Sequence, residues 1–143
     1  MNYETYFSEL LEHEGEAASI PFMVIGHVDW EPKKNDCHGN VDHWVAHHPE
    51  AKAVRGWLFW GPDAAHRYNI MTHSAVEDAR VLVDITPIDE NTPREGLRFL
   101  LHGGSEEEFD AMKMPFSQLF YPFMSFEESS DGQMPIQEEI PDY

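Results

Sequence analysis

The segment from 53 to 86 constrains the fold most. It holds three strand candidates in succession, 53–60 (AVRGWLFW), 68–77 (YNIMTHSAVE) and 80–86 (RVLVDIT), rich in β-branched and aromatic residues. Only Asp78 and Ala79 separate the last two, which is short enough for a hairpin turn, although Ala is a poor turn former. A hairpin centred there pairs antiparallel strands and sets position 73 opposite position 84. Residues 97–101 add a further strand candidate. Residues 21–28 (PFMVIGHV) read as a short buried strand.

Helical periodicity lies on both sides of these runs. Tyr6, Phe7, Leu10 and Leu11 define one face of an amphipathic helix over 5–16. Residues 30–36 form a polar loop. A second helix is expected to start near Cys37, capped by Asn35 or Asp36, with Val41, Trp44, Val45 and His48 on one face and Pro49 as its stop. Ser105 followed by Glu108 has the capping-box spacing of a short helix over 105–112. The expected fold is therefore α+β: an antiparallel sheet of three to five strands packed against an N-terminal helix and a Cys-bearing helix. One domain is expected over 1–126. Residues 127–143, with six acids, two prolines and no Lys or Arg, read as an acidic mobile tail. There is no internal repeat.

Composition narrows the function classes. The chain has 143 residues, 41% of them hydrophobic, enough for a real core. Its 27 acidic residues against 9 basic ones leave a net charge of −18, which repels nucleic-acid phosphates and anionic membrane surfaces. Direct nucleic-acid binding is not expected, and no apolar run approaches the roughly 20 residues of a membrane helix. The first residues lack a basic stretch followed by an apolar one, and the single cysteine cannot form an internal disulfide, so a cytoplasmic location is expected.

The candidate chemistry rests on Cys37, His73 and Asp84. A cysteine in the first turn of a helix meets unpaired amides and a dipole that favour the thiolate. His73 follows 36 residues later on a strand, as a base able to take the thiol proton. Asp84 follows 11 residues after His73 on the neighbouring strand, where a directly opposed side chain stands about 5 Å away at Cβ and can orient the imidazole. Asn35 and Asn40 stand on either side of Cys37 and are candidates for support of the site. His43 and His47 have the i, i+4 spacing of metal ligands but lie off the apolar helix face and lack the adjacent Glu of a zinc-protease motif. No metal or other cofactor is expected. The dense aromatics at 116–126 read as core or as an exposed partner patch.

Cys37-His-Gly-Asn-Val41, Arg55-Gly-Trp57, His73-Ser-Ala-Val76 and Val83-Asp-Ile-Thr-Pro87 together resemble a group of small, largely uncharacterised bacterial and phage proteins. Their Cys, His, Asp order is similar to that of the transglutaminase-like and papain-like cysteine superfamily. The resemblance covers about residues 35–103. It implies a papain- or transglutaminase-like fold, with Cys37 as nucleophile, His73 as base and Asp84 as orienting acid. It also implies an oxyanion-donating amide just before the cysteine, where Asn35 stands. The expected activity is that of a cysteine-dependent hydrolase or acyl transferase acting on an amide- or ester-type carbonyl of a protein or small molecule. The alternative is a non-catalytic acidic protein that binds and blocks a basic partner, phage-encoded or acting as a DNA mimic.

Overall fold

The computed structural model describes residues 2–88 and 94–121. The 127–143 tail and the domain limit at 126 lie outside the described residues. Helix α1 (Tyr3–Glu12) is capped by Asn2, whose side chain accepts from the Thr5 amide at 3.1 Å. It ends sooner than the periodicity suggests, giving way to a 3-10 turn at Glu14–Glu16. Helix α2 (Cys37–His47) begins at the cysteine, and α3 (Glu106–Lys113) starts from the capping box formed by Ser105 and Glu108. Among the described residues five strands form one antiparallel sheet: β1 (Lys52–Trp60), β2 (Tyr68–Asp78), β3 (Val81–Val83), β4 (Arg98–Leu101) and β5 (Gln118–Tyr121). The architecture is α+β, as expected. Among the described residues no helix is long and apolar enough to cross a membrane.

Strand β2 organises the sheet. One of its edges pairs with β1 along its length, and β1 in turn pairs with β4. The other edge is divided: β3 takes Val76–Asp78 and β5 takes Tyr68–Met71. The ladder is interrupted between these stretches, around His73.

The two faces of the sheet are covered differently. Trp57, Phe59, Ile70 and Leu100 pack against Phe7 and Leu10 of α1, Met112 of α3 and the following Phe116. Val41 of α2 extends this side onto Val76, Val83 and Ile85. The opposite face, carrying Leu58, Met71, Ala75 and Phe99, is covered by irregular chain through Ile20, Ile88 and Leu97. His73 belongs to this second face.

Two expectations are corrected. The hairpin turn is Ala79-Arg80, one residue later than Asp78-Ala79, because Asp78 pairs with Val81 and Glu77 with Leu82. Both turn residues adopt left-handed backbone, with φ of 51° and 67°, matching the turn to the twist of its strands despite the absence of Gly or Asn. His73 and Asp84 are therefore diagonal rather than directly opposed. The offset of two keeps them on one face. The second correction concerns 21–28, which is not a buried strand: Val24 and Val28 are exposed, and the segment makes only isolated bridges. It uses one of these to grip Asp84, whose amide donates to the Pro21 carbonyl (2.8 Å) and whose carbonyl accepts from the Met23 amide (2.9 Å).

Gly56 lies opposite His73 in the β1–β2 ladder, and the missing side chain makes room for its neighbours. A Cβ there would stand 2.3 Å from the Leu100 carbonyl oxygen and 2.6 Å from the Phe99 ring, and one of those contacts is with backbone that cannot swing away. Gly56→Ala is expected to destabilise the protein by about 1–3 kcal/mol in urea unfolding. Gly15→Ala, with nothing within 4 Å of the added methyl, is the control and should not destabilise. Equal stability of wild type and Gly56→Ala would contradict the packing described.

Candidate active site

Cys37 reaches the sheet at the interrupted edge of β2. The Thr72 amide donates to the Ser117 carbonyl just before β5, so the Thr72 carbonyl points to that same edge. The Cys37 sulfur lies 4.0 Å from that carbonyl oxygen. At the edge it can meet side chains from both faces of β2, and histidines approach it from both. His73 comes from the irregularly covered face, and His38 sits over Thr72 and Ser74 on the helical face.

His73 is 0% exposed, and its Nε2 stands 3.1 Å from Asp84 Oδ1. Asp84 is itself buried and collects further donors. Its Oδ1 accepts from the Thr86 amide at 3.1 Å, and its Oδ2 from Arg94 Nη1 at 3.0 Å. Arg94 also donates to the Thr86 carbonyl at 2.7 Å and lies 3.9 Å over the Phe22 ring. Burial alone would raise the Asp84 pKa, but the His73 charge and hydrogen bond, the Thr86 amide and Arg94 hold it at about 2.

The same balance carries through to the sulfur. Burial would lower the His73 pKa, yet the charges of Asp84 and Cys37 and their hydrogen bonds raise it to about 10. Burial would raise the Cys37 pKa, but the His73 charge, hydrogen bonds to His38 and His73, and the His38 charge bring it down to about 5. Between these values the pair is a thiolate and an imidazolium. The helix N-terminus adds to this, since Asp36 makes no side-chain cap bond to the first amides of α2.

The two asparagines take different positions. Asn40 is buried, and its amide nitrogen donates to the Lys33 carbonyl (2.8 Å) and to Thr86 Oγ1 (3.1 Å). Both its amide hydrogens are committed, so it has none for an oxyanion. It instead ties the Cys37 helix to the segment holding Asp84. Asn35 is exposed, with φ of 60°, on the rim of an open cleft of about 590 Å³ that also exposes Cys37, His38, Thr72 and Gln118. A more apolar groove of about 610 Å³ beside α1 and β4 contains no part of this constellation.

His43 and His47 stack on one another at 4.3 Å, and His43 stacks on Trp30 at 4.0 Å. Among the described residues no group of three or more His, Cys, Asp or Glu side chains is placed to hold a metal. Three partners of the site escaped the sequence reading: His38, Arg94 and Gln118. Only His38 had a local signal, as the residue after a cysteine at a helix start. Arg94 and Gln118 reach the site through tertiary packing. No family model, curated protein or solved structure matches this chain.

Alkylation of native protein by iodoacetamide should rise with pH through a midpoint near 5, where the thiolate forms, rather than near the ~8.5 of a free thiol. Asp84→Asn removes the charge that stabilises the imidazolium and should move the midpoint up by roughly 1–3 pH units. A wild-type midpoint at the free-thiol value would contradict the geometry.

Proposed function

We propose that the protein is a cysteine-dependent hydrolase or acyl transferase acting on an amide- or ester-type carbonyl through Cys37, His73 and Asp84. The observation that carries this reading is the buried imidazole shared between a carboxylate and a thiol. His73 has Asp84 at 3.1 Å on one side, and the charge of Cys37, whose sulfur stands 4.0 Å from the carbonyl oxygen of neighbouring Thr72, acts on it from the other. Burial of so many charged and polar groups costs stability unless every one is paired. Perturbed groups that converge on a cleft are a mark of functional sites.

The reaction follows from the resting charges. The Cys37 thiolate adds to the substrate carbonyl, forming the C–S bond and leaving an oxyanion. The first amides of α2, which no Asp36 side chain caps, are candidate donors to that oxygen, with Asn35 and Gln118 of the cleft as further ones. Collapse of the oxyanion expels the leaving group, which takes the His73 proton, and a thioester remains on Cys37. Asp84 orients His73 and stabilises its charged form. Water completes hydrolysis, or an amine or alcohol completes transfer. At about 590 Å³ the cleft has the size of a small-molecule site, which suits a small acyl group or one side chain rather than an extended peptide.

An activated ester such as p-nitrophenyl acetate should give a stoichiometric burst of nitrophenolate and an acetyl group on Cys37, seen by intact mass. The rate should follow a bell with limbs near 5, where the thiolate forms, and near 10, where the imidazolium is lost. Cys37→Ala should abolish the burst and leave the circular dichroism unchanged. A wild-type protein that is folded yet gives neither burst nor adduct would sink the catalytic reading.

A further inference from the structure

Two imidazoles flank the Cys37 sulfur, and the mechanism above uses one. His38 follows Cys37 in the first turn of α2 and lines the same cleft. Two hydroxyls of β2 hold its ring: Nδ1 pairs with Ser74 Oγ at 2.6 Å and Nε2 with Thr72 Oγ1 at 3.3 Å. The edge of Phe109 packs against it at 5.7 Å. Ser74 is 0% exposed and accepts from Arg55 Nη1 at 2.6 Å, while Arg55 is anchored by Asp42 (2.6 Å) and Glu106 (3.3 Å). His38 thus has a supporting chain of its own, built from different residues on the other face of β2.

The two rings also differ in access. His73 is fully buried and does not line the cleft, whereas His38 is half-buried and does. Releasing a thioester from Cys37 needs a second nucleophile, which arrives from the cleft and must lose a proton as it adds. A base that lines the cleft meets the incoming nucleophile directly.

We propose that His38 is the general base of the release step, a catalytic residue distinct from His73; this rests on the thioester reading above. The oxygen or nitrogen of the incoming water, alcohol or amine bonds to the thioester carbon as its proton passes to His38 Nε2. The C–S bond then breaks, its electron pair returns to the sulfur as thiolate, and the acylated product leaves. Throughout, His38 Nδ1–H donates to Ser74 Oγ, whose other lone pair accepts from Arg55. The proton gained by His38 passes by way of the regenerated thiolate to His73, replacing the one given to the first leaving group.

The test is burst kinetics with p-nitrophenyl acetate on the full chain. His38→Gln should keep the stoichiometric burst but lose about 100-fold in the steady rate, with acetyl-Cys37 accumulating in the intact mass. Hydroxylamine, a stronger nucleophile than water, should restore release. Ser74→Ala, which keeps the ring but removes its Nδ1 partner, should show the same pattern to a smaller degree. His73→Gln should differ by losing the burst itself. A His38→Gln protein that deacylates at the wild-type rate overturns the proposal, as does one that keeps iodoacetamide labelling at neutral pH but loses the burst. A folded wild type without any burst fails the thioester reading instead, and with it this one.

Discussion

Everything at the site depends on a buried carboxylate that stays ionised. Asp84 sits where an isolated charge would be strongly disfavoured, and the fold compensates with donors from three directions: the His73 ring, the Thr86 amide and the Arg94 guanidinium. Its own backbone is clamped by Pro21 and Met23. That fixed negative charge keeps the fully buried His73 protonated, and the protonated ring keeps Cys37 deprotonated. Remove the carboxylate, and the buried imidazolium is left with the thiolate alone as counter-charge.

The divided edge of β2 is the second constraint. A strand paired along both edges would leave no backbone gap for a helix N-terminus to enter. Because β3 and β5 each take only one end of β2, the first turn of α2 can set its cysteine against the strand between them. A sulfur at an edge is accessible from both faces of the pleat. This allows one histidine to be fully buried beneath irregular chain while the other faces an open cleft. Asn40 then joins the helix to the Asp84 segment through Thr86, so the three residues are held by one connected set of hydrogen bonds.

Much of this was legible in the sequence. Runs rich in β-branched and aromatic residues marked β1 and β2, and the apolar spacing of Val41, Trp44 and Val45 gave α2, with Cys37 at its start. The co-facial placement of His73 and Asp84 could be read from the hairpin. Its register came out one residue early, because Ala79 and Arg80 carry no turn signature and adopt left-handed backbone all the same. The residue spacing survived that error, since a shift of the turn by one residue moves the pairing by two and preserves the face. The apolar run at 21–28 misled because apolar content alone does not show whether a segment enters a sheet or lies along its end. Arg94 and Gln118 had no periodic or motif signal, and Asn40 gave no hint that its amide faces inward. Such roles are set by which distant segments the fold brings together.

The central claim is that His73 is an imidazolium in the resting protein, held so by Asp84 and Cys37. Long-range proton–nitrogen NMR correlation of the histidine rings measures this directly, with His73 assigned by the signal missing from a His73→Gln sample. Both ring nitrogens of His73 should carry protons at neutral pH, with deprotonation only as the pH approaches about 10. A His73 ring that is neutral at neutral pH would contradict the account, because it would leave the Cys37 thiolate without its counter-charge.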